Sequence, residues 1–284
     1  MSKKIIMRED NEGEVNIFLD FLHHREYPQH RNIIFLHFPK LKEMIGDDEE
    51  NERAIVESFL KNTREKNKEK IGSATKYIQN EIEQKGERTL TILADLMDYG
   101  WPENNEKYVL VPTIFPMCPF NGNTFFFSIY KALEGVTEYP KVLAVAMHEI
   151  SHMILFEILR EKNISLDSYT TYFIKELIAP ILVYQDNFTG VFKKEIVGNY
   201  NVLEIYFNVD RHTIKAFDYF LEKFNKNKEK GLTFGTFLDD MISICLKIKE
   251  SIKEKRDFDN THGIQILKNS ELLKQFREPI LVER

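Results

Sequence analysis

The feature that most restricts the fold of this chain is an apolar stretch in its middle that carries two histidines. Within residues 145–154 the single charged residue is Glu149. Apolar residues recur at helical spacing through the surrounding sequence, and Pro140 precedes them, where the first turn of a helix tolerates proline. The pattern predicts one long buried helix that begins near Pro140 and ends near residues 162–163.

The buried helix contains the pentapeptide HEISH at residues 148–152, which is an HExxH motif. Histidines four residues apart lie one above the other on a helix, so His148 and His152 can reach one metal ion. Glu149 lies about 100° further round, where its carboxylate can reach a water bound to that ion. Three polar side chains on a buried helix are costly without a metal or hydrogen-bond partners. We interpret the motif as a zinc site with Glu149 as general base; the alternative is a pair of hydrogen-bonded core histidines and a solvent-facing glutamate.

A catalytic zinc site takes three protein ligands and leaves a fourth position for water. The predicted third ligand is Glu176, which lies in an otherwise apolar segment of a second helix. This helix is predicted to be capped by Asp167 or Ser168 and to end near Tyr184. Two antiparallel helices joined by a short loop would bring Glu176 beside the histidine pair. The alternative is a surface glutamate next to Lys175.

Four other residues compete for the role of third ligand. Glu157 follows the motif on the same helix but lies on roughly its opposite face. Asp167 fits a helix cap better than a ligand. His212 and His262 are distant in the sequence, and they stay open as ligands.

Together these residues resemble the zincin metallopeptidases, and within them the gluzincins, which carry HExxH on one helix and a glutamate ligand on the next. The separation between His152 and Glu176 is similar to that in the angiotensin-converting-enzyme-like and oligopeptidase-like families, and longer than in the aminopeptidases and thermolysin-like enzymes. The resemblance covers residues 142–180. The chain has no GxMEN-type motif, no NExxSD motif around Glu176 and no metzincin third histidine, so the resemblance indicates the superfamily and not a subfamily.

The resemblance implies a zinc-dependent peptidase, a hydrolase that holds one Zn2+ per chain through His148, His152 and Glu176 and acts on a peptide or protein. Glu149 would take a proton from a water whose pKa falls to about 7 on zinc, and would pass it to the leaving amine. A carboxylate that holds the outer nitrogen of a histidine could come from Asp186. A further donor would assist the oxyanion. Candidates for that donor, or for substrate contacts, are Tyr169, Tyr172, Tyr206 and His212.

Two segments before the buried helix have strand composition. Residues 107–115 and 124–130 are rich in β-branched and aromatic residues, and the turn-rich loop between them predicts an antiparallel pair. Pro112 indicates an edge position or a break in the first segment. In zincins the edge strand of a small sheet pairs with the extended substrate. The resemblance gives that role to Thr124, Phe125, Phe126 and Phe127. The alternative is a fully buried core strand, which the three consecutive phenylalanines also favour.

The whole chain is predicted to be α+β and mainly helical, with a zincin-like core. Residues 1–105 form a mostly helical region, with long helices over 48–86 and a buried strand at 32–38. Residues 106–190 form the catalytic core, and residues 191–284 form a helical C-terminal lobe. A chain of 284 residues can bury a substantial interior, so these regions can form one compact unit.

Composition and charge restrict the partners and the compartment. The net charge of −6 does not favour nucleic acid or an anionic membrane as a partner. Cys118 and Cys245 lack the spacing of metal ligands, so a reducing compartment fits better than a disulfide framework. The apolar part of the N-terminus is too short for a signal peptide, and no uninterrupted apolar run approaches the roughly 20 residues of a membrane span. The sequence therefore predicts a cytoplasmic protein.

Three other functions stay open at this point. A zinc-binding regulatory or scaffold protein would share the metal site without catalysis, although structural zinc needs no base at Glu149. A regulatory protease could cut one protein partner, as the ImmA-like peptidases do with HExxH. A wholly structural helical protein would bind no metal.

Overall fold

The computed structural model describes residues 3–24, 29–45, 51–102 and 107–282. The chain is mainly helical with two small mixed sheets, which confirms the predicted mainly helical α+β class. The helices are α1 (Asn11–Leu22), α2 (Gln29–His37), α3 (Pro39–Ile45), α4 (Glu52–Lys66), α5 (Lys68–Leu96), α6 (Val142–Glu161), α7 (Ser168–Val183), α8 (Tyr200–Leu203), α9 (Ala216–Glu229), α10 (Phe234–Lys247), α11 (Lys249–His262) and α12 (Ser270–Phe276). The strands are β1 (Lys4–Met7), β2 (Lys107–Thr113), β3 (Phe120–Asn121), β4 (Thr124–Ser128), β5 (Tyr206–Val209), β6 (His212–Lys215) and β7 (Ile280–Leu281).

Residue contacts divide the chain into two compact units. The first contains residues 1–88 and 102–149, and the second contains residues 89–101 and 150–284. Two of the three boundaries, at 88/89 and 149/150, fall inside the continuous helices α5 and α6. The three regions predicted from composition follow sequence order and stay an interpretation of the sequence.

The first unit contains a four-stranded sheet in the order β1-β2-β4-β3. β2 and β4 are parallel, so the predicted antiparallel pairing of residues 107–115 with 124–130 is wrong. The reason is that the chain first forms β3, which runs antiparallel to β4, and then turns tightly into β4. Gly122 has φ +59° in this turn, a left-handed conformation that glycine adopts readily.

Pro112 lies in β2 where the sheet has a strand on one side only. The pairing of β2 with β1 stops at Leu110, while the pairing with β4 continues through Pro112 opposite Phe127. A proline has no N–H to donate, so it fits beyond the end of β1. The Pro112 carbonyl accepts a hydrogen bond from Arg64 Nη2 at 3.1 Å. The predicted edge or break in this strand is therefore found locally.

The predicted strand at residues 32–38 is wrong, because this segment belongs to α2 and the turn that follows it. Ile34 is fully buried and Phe38 is buried, whereas Leu36 is 61% exposed. Burial therefore repeats every four residues, as on a helix face, and not every two. A run of apolar residues concealed that spacing in the sequence.

The second unit contains helices around a three-stranded sheet in the order β6-β5-β7. β5 pairs antiparallel with β6 and parallel with β7. The sequence predicted a helical C-terminal lobe and missed this sheet, whose strands are four residues long or shorter. The helices predicted in this region are present as α9, α10 and α11.

Helix α6 is long and apolar enough to cross a membrane by length and composition alone. An 18-residue window in it has a mean hydropathy of 1.6, and 78% of that window is buried inside the structure. The sequence was searched only for uninterrupted apolar runs. The polar HExxH residues interrupt the apolar run in α6, so the helix was not recognised as a possible span. A buried core helix passes the same test, so the feature is weak evidence for a membrane span.

Candidate metal centre

Helix α6 carries the HExxH motif in its most buried part. His148, Glu149 and His152 are 6%, 8% and 2% exposed, and the neighbouring Ala146 and Ile150 are fully buried. The helix begins at Val142, two residues after Pro140, and ends close to the predicted position. Because both histidines lie on one unbroken helix, their separation is fixed by one helical turn.

Helix α7 begins at Ser168 and is capped by Asp167, one of the two residues that the sequence predicts as its cap. Asp167 accepts hydrogen bonds from the Thr170 N–H at 2.9 Å and the Thr170 hydroxyl at 2.7 Å. Burial alone would raise the pKa of Asp167, but these hydrogen bonds outweigh burial and hold the pKa below its usual value. Asp167 is therefore a cap and not a metal ligand. Asn163, with φ +53°, helps to reverse the chain between the two helices.

The helical pair brings His148, His152 and Glu176 together. One nitrogen of each imidazole and one carboxylate oxygen all lie within 4.8 Å of one another, and all three residues are buried. His152 Nε2 lies 3.9 Å from Glu176 Oε1. Among the described residues this is the one group of three or more metal-ligating side chains at such distances.

The donor set fits a zinc ion. Two donors at about 2.1 Å from a tetrahedral zinc are about 3.4 Å apart, slightly closer than the 3.9 Å between His152 Nε2 and Glu176 Oε1. Small side-chain rotations would close this difference. Two imidazoles and one carboxylate are also the ligands of one class of catalytic zinc site, which keeps a fourth position open.

Glu176 lies at an irregular point of α7. Pro180, four residues later, is inside the helix. Proline has no N–H to donate to the carbonyl of Glu176 four residues before it, so the regular helical hydrogen bond is missing at this point of α7. The predicted alternative of a surface glutamate does not match its burial, since Glu176 is 8% exposed.

A lysine already contacts the predicted ligand. Lys175 Nζ donates to Glu176 Oε1 at 2.5 Å, and the Lys175 side chain is only 16% exposed. This oxygen is the one that lies 3.9 Å from His152 Nε2. Sequence reasoning treated Lys175 only as a sign of a surface position and missed its contact with the site.

Glu149 is buried, in contrast to the solvent-facing position of the alternative interpretation. Its negative charge acts on the thiol of Cys118, whose pKa is raised to about 12, first by burial and then by Glu149. Cys118 Sγ also accepts a hydrogen bond from the Ser128 N–H at 3.4 Å. The loop before β3 therefore lies near the predicted base.

Tyr172 is the member of the predicted donor group that is nearest to a predicted ligand along a helix. It precedes Glu176 by four residues on α7 and is buried. Its hydroxyl accepts a hydrogen bond from Asn199 Nδ2 at 2.6 Å. The Arg256 guanidinium lies 3.7 Å from the centre of its ring. Tyr169 is half-buried one turn earlier, with Lys253 Nζ at 5.7 Å from its ring.

The structure places the other predicted site residues elsewhere in the second unit. Tyr206 begins β5 and lies against Lys215 and Arg277. His212 is exposed at the start of β6. Asp186 is 84% exposed in its side chain and pairs with Lys194 at 2.6 Å, so it does not hold a histidine.

Two residues that competed for the role of third ligand make contacts outside the triad. The Glu157 carboxylate accepts a hydrogen bond from the Tyr99 hydroxyl. His262 packs against the ring of Phe258 at a centroid distance of 4.4 Å. Neither belongs to the group that contains the two motif histidines.

The predicted substrate strand is a core strand. β4 lies between β2 and β3, so it is not the edge of the sheet. Thr124 is half-buried, and Phe125, Phe126 and Phe127 are buried. The Phe126 N–H donates to the Pro119 carbonyl at 2.8 Å, which covers β4 beyond the end of β3. The edge on this side is β3.

No family model matches this chain, and neither a curated protein nor a solved structure does.

Proposed function

We propose that this protein is a zinc-dependent metallopeptidase with a gluzincin-like site. One observation supports the proposal most: two imidazole nitrogens and a carboxylate oxygen converge within 4.8 Å at a buried position. His148, His152 and Glu176 would hold the ion. Glu149, next to His148 on the same helix, supplies the base that a purely structural zinc site does not need.

Zinc in such a site supplies Lewis acidity and makes water a nucleophile at neutral pH. A carboxylate oxygen of Glu149 accepts a proton as the water oxygen attacks the peptide carbonyl carbon. The same carboxylic acid then returns the proton to the amide nitrogen as the C–N bond breaks, so a carboxylic acid and an amine leave. Glu149 is buried among apolar residues. Its carboxylate therefore interacts more strongly with the charges of the reacting groups than it would in water.

The substrate would lie along β3 in place of β4. β3 is the outer strand of its sheet, and Phe120 and Asn121 are half-buried and exposed. The neighbouring Cys118 is close enough to Glu149 for the carboxylate to raise the pKa of its thiol. An extended peptide paired with this edge would pass near the base.

The test compares the wild-type protein with Glu149→Gln. We expect about one zinc per purified chain in both proteins, and hydrolysis of a broad peptide library that falls by about 10²–10⁴-fold in the variant. Glu161→Gln, at the exposed end of α6, is the matched control and keeps both properties. Equal cleavage by wild type and Glu149→Gln would refute the role of Glu149 as the base, and no cleavage by either would refute a peptidase of broad specificity.

Two related functions share the triad. Cleavage of one defined protein and of no generic peptide would identify a regulatory protease for a single partner. Zinc binding without any hydrolysis would identify a regulatory or scaffold protein. The buried Glu149 beside the triad favours hydrolysis over the second of these.

A further inference from the structure

We propose that a polar cavity in the second unit binds a small zwitterion, a free α-amino acid. The cavity has a volume of about 340 Å³, within the range of small-molecule sites. The residues that line it come from the C-terminal end of α7 and the chain after it and from one face of α9, namely residues 184–187, Lys194, Leu221, Asn225, Lys228 and Glu229. None of the three proposed metal ligands lines this cavity, so it is a different site.

Gln185 is the buried polar side chain of the cavity. It is 8% exposed, and its Nε2 donates to the Ile181 carbonyl at 2.9 Å. This hydrogen bond fixes the amide and leaves its carbonyl oxygen as an acceptor. Within the part of the chain that the structure describes, no donor reaches Gln185 Oε1. A buried amide oxygen without a partner costs free energy, so an N–H of a ligand at this oxygen would stabilise the complex.

The four charged side chains of the cavity are only partly paired with one another. Lys194 Nζ lies 2.6 Å from Asp186 Oδ1. Lys228 Nζ donates to Asn187 Oδ1 at 3.2 Å, and this amide carries no charge. Among the described residues, neither Lys228 nor Glu229 has an opposite charge at ion-pair distance. The cavity therefore offers one ammonium and one carboxylate to a ligand.

The Lys228 ammonium lies near the pair of Lys194 and Asp186. The pKa of Asp186 is held below its usual value first by the hydrogen bond and charge of Lys194, and further by the charge of Lys228. Two ammonium groups therefore act on one carboxylate at this end of the cavity, which gives this end an excess of positive charge. A carboxylate of a ligand fits here, because charge-assisted hydrogen bonds are stronger than neutral ones.

The charges of the whole cavity indicate the class of ligand. Two lysines and two carboxylates line it, so its net charge is zero. A zwitterion matches both the Lys228 ammonium and the Glu229 carboxylate, whereas a ligand with a net charge leaves one of them unmatched. The ligand ammonium has three donors, which can serve Glu229 and Gln185 Oε1. Tyr184 and the half-buried Leu221 add apolar surface for a side chain.

The test uses the full chain after treatment with a chelator, because free amino acids also bind zinc. Ligand-observed NMR with the common L-amino acids identifies those that bind, and calorimetric titration measures their affinity. We expect a Kd of about 1 mM or lower for at least one of them, since exposed charges contribute modestly to affinity. Absence of binding by all of them at concentrations up to about 10 mM would overturn the inference.

The amino acid that binds is then compared with its carboxamide, which lacks the carboxylate, and with its N-acetyl form, which lacks the ammonium. Each derivative should bind about tenfold more weakly, because it loses one charge-assisted contact. Equal affinity of either derivative would refute recognition of a zwitterion.

Variants of α9 assign the two charged contacts. Lys228→Met should abolish the preference over the carboxamide, while Lys228→Arg should keep most of it, and Glu229→Gln should abolish the preference over the N-acetyl form. Lys226→Met and Glu222→Gln are the matched controls, because these two residues pair with each other on α9 and do not line the cavity. All four positions are exposed, so the variants should fold. A preference that survives Lys228→Met, or that Lys226→Met also removes, would overturn the inference.

Binding at this cavity is independent of the proposed hydrolysis. Glu149→Gln and His152→Ala should bind the same amino acid with unchanged affinity, since neither residue lines the cavity. Loss of binding in His152→Ala would instead assign the ligand to the metal centre and refute the inference. Absence of hydrolysis by the wild-type protein would count against the peptidase alone, so the two failures are distinguishable.

Discussion

Glu176 lies close to three residues of helices α6 and α7 that matter for the candidate site. It approaches His152 across the helical pair, accepts a hydrogen bond from the neighbouring Lys175, and precedes Pro180 by one turn. A buried carboxylate gives up much of its hydration, and an ammonium partner compensates only part of that loss. A divalent cation on the same oxygen compensates that loss better, which is a physical reason for a metal at this position.

Replacement of Glu176 by Gln should weaken zinc binding by at least about 100-fold, more than the usual effect of losing a residue that only supports a ligand. Chelator competition measures the affinity. Glu157→Gln is the control, since its carboxylate contacts Tyr99 and lies outside the triad. Equal affinities for the two variants would show that Glu176 is not a ligand.

At the level of elements, α7 depends on the cap at its first turn. Asp167→Ala removes the acceptor for the Thr170 N–H, so the variant should lose about 1 kcal/mol of stability at pH 7. The pKa of Asp167 is lower in the folded chain, so this stability is present above the pKa of the unfolded chain and is lost as the pH falls through the folded pKa. Denaturant titrations of both proteins at pH 7 and near pH 3 should show the difference shrink in acid. A constant difference would mean that the charged form is not what caps the helix.

A buried carboxylate on α1 forms hydrogen bonds with the end of β2. Glu14 is 1% exposed and accepts hydrogen bonds from the Thr113 hydroxyl and the Ile114 N–H, each at 2.7 Å, and from Arg64 Nε at 2.6 Å. Glu14→Gln should lower the free energy of unfolding by about 2–4 kcal/mol. The amide would present an N–H donor to Arg64 and would remove the negative charge that pairs with the Arg64 guanidinium. The shift of the denaturation midpoint measures this cost. Glu12→Gln on the same helix changes an 81% exposed side chain and should alter stability by less than about 0.5 kcal/mol.

The elements that the sequence predicted well are those with long periodic patterns. The bounds of α6 and α7 follow from apolar spacing, Pro140 and the Asp167 cap, and they place the triad. The hairpin of β5 and β6 was missed, because its turn uses Asp210 and Arg211 at positive φ without a glycine to mark it. Parallel pairing of β2 with β4 depends on contacts across the sheet that local sequence does not encode.

At the level of the whole molecule, a metal held by the folded chain should raise its thermal stability. Zinc at about 100 times its Kd contributes about 2.7 kcal/mol, which corresponds to a rise in Tm of about 5 °C for a chain of this size. Calorimetry of chelator-treated protein with and without zinc measures the shift. Magnesium prefers oxygen ligands and should give no shift, and zinc should give none in His152→Ala. A similar rise in His152→Ala would place the stabilising zinc somewhere else.

All three proposed metal ligands come from one short stretch of chain, between His148 and Glu176 on two successive helices. Such a local chelate closes only a small loop, so its entropic cost is low compared with a site assembled from distant segments. During synthesis, the complete ligand set is made before residues 177–284 are added to the chain. Helices α6 and α7 would therefore be able to bind zinc in the nascent polypeptide, before the strands and helices that follow them have folded.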